Sequence, residues 1–87
     1  MASYKLSIKR SAAKELETVE PQSLRLRIVS KIQALAKEPR PSGSEKLAGA
    51  ENCYRIRQGD YRVLYTVDDQ AVVVEVVRIA HRRGAYR

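Results

Sequence analysis

The run Cys53-Tyr54-Arg55-Ile56-Arg57-Gln58-Gly59-Asp60-Tyr61-Arg62-Val63-Leu64-Tyr65-Thr66-Val67 decides the fold. Alternating apolar and polar side chains flank Gln58-Gly59-Asp60, and period-two alternation about a glycine turn is the mark of an antiparallel hairpin. Parity then sorts the side chains. Tyr54 and Ile56 oppose Arg55 and Arg57 in the first strand, and Tyr61, Val63, Tyr65 and Val67 oppose Arg62, Leu64 and Thr66 in the second. With the apolar sets turned to a core, Arg55, Arg57 and Arg62 are expected together on an open sheet face.

Working outward, Asp68-Asp69-Gln70 is a second turn and Ala71 to about Ala80 a third strand, which completes a meander. In that strand Val72, Val74 and Val76 oppose Val73, Glu75, Val77 and Ile79; its one acid, Glu75, assigns the second set to the open side. Residues 81–87 hold too little apolar content for a strand and are expected to curl at the sheet edge. Upstream, Tyr4, Leu6 and Ile8 alternate as a first strand. Ser11 is placed to cap a short helix ending by Glu20-Pro21. Pro21 suits the first turn of a second helix, in which Leu24, Ile28, Ile32 and Leu35 recur at helical spacing up to Pro39-Arg40-Pro41. A loop follows to about Ala50. The expected class is α+β: an N-terminal strand, a two-helix hairpin and an antiparallel three-stranded meander, in the order β-α-α-β-β-β.

The chain has 87 residues, with 17 Lys and Arg against 10 Asp and Glu, for a formal charge of +7. Residues 1–87 are expected to form one domain whose small core leaves no room for a deeply enclosed cofactor, so no cofactor is expected. The 44% hydrophobic content is that of a globular chain rather than a basic tail. Every lysine precedes position 47, whereas all later cations are arginines, and four of the five tyrosines share that arginine half. Arginine forks bind phosphate and tyrosine rings stack on unpaired bases, which suits an RNA partner. Cys53 is the one cysteine, so a disulfide within the chain and a cysteine metal cluster are excluded. The chain has no apolar run of membrane-spanning length and no signal-peptide core, and is expected in the cytoplasm, away from membranes.

The order of these features resembles the RelE family of toxin-antitoxin toxins, within the RelE/ParE superfamily. The resembling stretches are Tyr4 to Leu16, Lys46-Leu47-Ala48-Gly49, Cys53 to Arg57, Gly59 to Tyr65, and Ile79-Ala80-His81-Arg82-Arg83-Gly84-Ala85-Tyr86-Arg87. The resemblance implies the RelE-like fold and a ribosome-dependent endoribonuclease that cuts messenger RNA in the decoding site without metal. It also implies a RelB-like antitoxin partner, with operator DNA reached through that antitoxin. The family's site residues correspond here to Arg55, Arg57, Arg62, Arg82 and Tyr86. Arg62 and Arg82 would clamp phosphate, and Tyr86 would stack on a base. Other readings of the same chain are a ParE-like toxin acting on DNA gyrase and a non-catalytic RNA-binding relative.

One departure concerns proton transfer. The alternating pair of this strand is lysine in the best-known family member, and arginine, charged to a pKa above roughly 12, makes a poor base. Attention then moves to His81, histidine being the side-chain type that ordinarily titrates near neutrality. Its alternative role is contact with RNA phosphate or the end of the strand.

Overall fold

The structure, a computed structural model, describes residues 3–81. The chain runs β1 (Lys5–Ile8), α1 (Arg10–Glu17), α2 (Gln22–Ala34), β2 (Glu45–Lys46), β3 (Cys53–Gln58), β4 (Tyr61–Asp68) and β5 (Val73–His81). The strands form one five-stranded sheet in the order β1-β5-β4-β3-β2. β2 to β5 pair antiparallel in sequence, and β1 lies parallel to β5 with Leu6 opposite Val74. This is the expected α+β arrangement, with the short β2 added where composition indicated loop.

Both helices cover one sheet face. Ala12 of α1, Val19 of the link between the helices, Ile28 and Ile32 of α2 and Leu35 at its C-cap are buried against Ile56, Val63, Tyr65, Val67, Val74, Val76 and Ile79. The period of α2 anticipates its contribution, since Leu24, Ile28, Ile32 and Leu35 recur on one stripe. Two helix starts differ from expectation. α1 begins at Arg10 with Lys9 in the cap position, so Ser11 lies inside the first turn, and no side chain caps the helix. Pro21 precedes α2 as its N-cap residue, its carbonyl accepting from the Leu24 and Arg25 amides.

The β3–β4 hairpin turns on Gly59 and Asp60, with Gln58 opposite Tyr61. Gly59 has φ +60, and a Cβ there would stand 3.2 Å from Leu24 Cδ1, so both the turn and its packing on α2 favour glycine.

The last strand departs most from simple alternation. Leu64 pairs with Arg78 and Tyr65 with Val76, so Val77 is an extra residue, a β-bulge. The bulge reverses parity beyond it. Ile79, expected beside Glu75 on the open side, is instead buried with Val74 and Val76, and Arg78 turns to the open face. Val72 does not join the strand either. It stands outside β5 at φ +58, unusual for a β-branched residue, in a turn whose Gln70 and Ala71 amides donate to Asp68 Oδ1.

Beyond the short outer strands, charged side chains reach two of the edge groups. Lys9 N donates to Val76 O at the end of β1, after which Glu15 of α1 accepts from the Ile79 amide at 2.8 Å. At the opposite edge Lys31 Nζ of α2 donates to Arg57 O at 2.9 Å, past the end of β2. A strap closes the base of the sheet. Tyr65 donates to Pro39 O at 2.7 Å, while Arg40 donates to Tyr54 Oη and, through both terminal nitrogens, to Asp69, which also accepts from Tyr4. Arg40 and Tyr4 together hold the Asp69 carboxyl below the usual carboxylate range.

Candidate active site

Strand register builds the site on the sheet face away from the helices. Arg57 of β3 is the direct cross-strand partner of Arg62 of β4, and Ala80 of β5 stands opposite Arg62 on its other side. The next row toward the sheet centre is Glu45, Arg55, Leu64 and Arg78, one residue from each of β2 to β5. Directly opposed residues have Cβ atoms about 4.5–5.5 Å apart, so Arg57 and Arg62 place two guanidinium stems side by side. The sheet thus brings together three of the expected residues: Arg55, Arg57 and Arg62.

Glu45 organises this group. Its Oε1 lies 2.7 Å from Arg55 Nη2 and 3.9 Å from Arg57 Nη2. The hydrogen bond from Arg55, its charge, and the charges of Arg57 and Arg62 hold the Glu45 carboxyl below the usual carboxylate range. One carboxylate therefore faces three guanidiniums, and the patch keeps a positive potential suited to a polyanion. Arg55 is the better shielded, with 17% of its side chain exposed, whereas Arg57 is 60% exposed and projects toward solvent. Arg78 sits at the margin, with Nε 3.7 Å from Glu15 Oε2.

Glu75 stands on the open face, as expected, but away from the arginine group. It pairs with Thr66, four positions along β4 from Arg62, roughly 13 Å away at the usual strand rise. His81 is likewise not brought into the arginine group. It stands opposite Tyr61 and meets that ring edge-to-face at 5.3 Å, on the face of Tyr61 and Val63 rather than of Arg62. Arg82 and Tyr86 lie outside the described residues.

Two members of the patch escaped the pattern analysis. Glu45 sits in a strand two residues long, and its signal is the tight turn at Gly49, φ +79, which returns Leu47 N to Cys53 O. Arg78 was hidden by the bulge.

Residues 6–86 match the family model described as the ParE toxin of the type II toxin-antitoxin system parDE. The chain belongs to the RelE/ParE superfamily of toxins. Among RelE/ParE relatives, Toxin RelE of Mycobacterium tuberculosis is 30% identical over 84 residues, covering 97% of this chain and 87% of its own. Toxin RelG of the same organism is 27% identical over 84 residues, with 97% of each protein covered. The toxin fold also superposes on the archaeal RelE-RelB complex from Pyrococcus horikoshii, with a TM-score of 0.82 and 30% identity over 95% of this chain and 99% of that one. The intact E. coli RelBE toxin-antitoxin complex gives 0.79 and 30% over 91% and 96%.

Within this RelE/ParE toxin, Glu45→Gln tests how the patch is ordered. Loss of the ionic contact to Arg55 is expected to slow the toxin's action roughly tenfold through misplacement of the guanidinium. The sign of the pH dependence follows from the depressed pKa. The carboxylate's contribution is complete above its ordinary value of about 4.3 and fades as pH falls through the lower folded-state value, so the contact should be constant from about pH 5 to 9. Salt titration of the rate in both proteins would check it; identical rates and salt dependence would remove Glu45 from the site.

Proposed function

We propose that this toxin is a ribosome-dependent endoribonuclease that cuts messenger RNA in the decoding site and so stops translation. The observation that carries the reading is the Arg57–Arg62 cross-strand pair beside the Arg55–Glu45 ion pair. Like charges directly opposed destabilise a sheet, and a bound phosphate would relieve that cost.

The chemistry suits such a patch. The substrate's 2′-oxygen loses its proton and bonds to the neighbouring phosphorus, the bond from phosphorus to the 5′-oxygen breaks, and that oxygen takes up a proton. The products are a cyclic phosphate and a free 5′-hydroxyl. Negative charge gathers on the non-bridging oxygens during the attack, where arginine forks act most strongly. In this proposal Arg57 and Arg62 hold those oxygens, and Arg55, fixed by Glu45, shapes the field around them. Arg82 would add a second clamp and Tyr86 a stacking surface for a displaced base, roles assigned by their match to the family pattern. Much of the remaining barrier reduction comes from positioning on the ribosome.

The partner in this reading is a RelB-like antitoxin that covers the toxin and connects it to operator DNA. Toxin-antitoxin complexes among the similar structures support the antitoxin as partner. The working compartment is the cytoplasm, where ribosomes and message are found; none of the described helices is long and apolar enough to cross a membrane.

Ribosomes carrying a defined codon in the decoding site, mixed with the protein, should yield a cut message. Intact message at stoichiometric toxin would sink the proposal. The position of His81 against Tyr61 adds a second expectation: His81→Ala should leave the pH dependence of single-turnover cleavage unchanged. A limb lost near pH 6 to 7 in the variant would instead make His81 the base. The ParE family match favours one other reading, inhibition of DNA gyrase by binding. Blocked supercoiling with translation intact would establish it.

A further inference from the structure

A cleft of about 370 Å3 opens beside the arginine patch, between α2, the 41–43 segment and β3. Its origin lies in the backbone. The β2–β3 ladder places Glu45 opposite Arg55, so a longer β2 would set Gly43 opposite Arg57. Gly43 instead has φ +92, and the Ser44 amide closes a turn onto Pro41 O, which swings the segment away from β3. The gap left behind is floored by Ile56 and walled by Ala34 and Pro41, with Ser42, Lys31 and Arg57 contributing its polar groups.

We infer that this cleft is a nucleotide subsite, seating the base of an RNA nucleotide adjacent to the scissile phosphate while Lys31 and Arg57 meet its phosphate. The inference rests on the ribonuclease reading for the identity of the ligand. Its volume is at the lower end of the roughly 300–1,000 Å3 typical of small-ligand sites, and its apolar walls with a few polar groups fit a flat heteroaromatic ring. Lys31 uses one ammonium proton on Arg57 O, leaving two donors for an anion. Arg57 joins cleft to patch, because it lines the cleft, where its carbonyl accepts from Lys31, and is the direct cross-strand partner of Arg62. A nucleotide held here would thus be continuous with a phosphate held by Arg57 and Arg62.

An added peptide strand is the other occupant such an edge could take, and the geometry disfavours it. Lys31 already occupies the Arg57 carbonyl that a strand would need, and Pro41 across the cleft has no N–H to offer.

Titration of the isotopically labelled toxin with nucleoside 5′-monophosphates is the test, read by amide chemical shifts. Saturable shifts are expected at Ser42, Gly43 and Arg57, with Kd in roughly the millimolar range. Ala34→Leu, at an exposed position, fills the cleft and should abolish these shifts while the rest of the spectrum keeps its dispersion. Lys31→Met should weaken binding roughly tenfold. Inorganic phosphate giving the same shifts at the same affinity would overturn the base pocket, as would unchanged shifts in Ala34→Leu or no saturable shift at all. Stronger binding of an extended uncharged peptide would assign the edge to strand addition and overturn it too. The titration needs no ribosome, so nucleotide binding without message cleavage would refute the ribonuclease and leave the subsite standing.

Discussion

Arg62→Ala is expected to slow single-turnover cleavage of a ribosome-bound message by about 10²–10³-fold, the usual cost of removing one preorganised donor from developing negative charge. The same substitution should leave thermal stability unchanged or slightly raised. Arg62 faces Arg57 directly across the β3–β4 ladder, and relieving a like-charge pair in a sheet is worth a few tenths of a kcal/mol, up to about 1 kcal/mol. Function and stability therefore move in opposite directions at this residue, as they do where a site is built against the preference of the fold. Arg62→Lys separates charge from geometry: it keeps the cation and loses the planar fork, so its rate should fall between those of wild type and alanine. The rate is read from message cleavage under single turnover, the stability from thermal melting. An alanine variant that cleaves within about threefold of wild type would remove Arg62 from the reaction.

Tyr65→Ala carries the largest expected effect on folding. Tyr65 is fully buried in mid-sheet, its ring stacks on Tyr54 at 5.9 Å between centroids, and its hydroxyl donates to Pro39 O at 2.7 Å. Removing a buried aromatic side chain costs about 3–5 kcal/mol. A domain of this length has of order 4–13 kcal/mol in all, so the variant would be marginal at best. Tyr65→Phe isolates the hydroxyl. It leaves the ring in place but strips the Pro39 carbonyl of its donor, at roughly 0.5–1.5 kcal/mol. Urea unfolding distinguishes the two, with lower midpoints at unchanged slope and the alanine variant much the lower. Equal losses for the two variants would mean that the strap, not the ring, anchors this side of the core.

These expectations rest on residues of different legibility. The hairpin from Cys53 to Val67 was readable because alternation and a glycine turn agree over its whole length, so the faces of Arg55, Arg57 and Arg62 followed from parity. The α2 stripe was readable for the same reason at a period of 3.6. The β5 faces were not. Nearly every residue there is apolar, so composition gives no phase, and the Val77 bulge reverses parity without a glycine or proline to announce it. His81, expected in a tail curling at the sheet edge, instead ends the strand opposite Tyr61, on the face away from Arg62. Glu45 was missed because two residues carry no periodicity; its partner Arg55 is ten positions away, and tertiary pairing alone makes it part of the patch.

The parallel pairing of β1 with β5 sets an order of events in synthesis. Leu6 waits for Val74 and Ile8 for Val76, so the first strand made has no sheet to enter until the last one has left the ribosome. Contacts this distant along the chain form late. A growing chain that has not passed position 76 therefore lacks the strand that flanks Arg62, and its arginines are not yet held as a site. For a protein proposed to attack ribosomes, this means that the ribosome making it is finished with nearly all of its sheet before the toxin becomes competent.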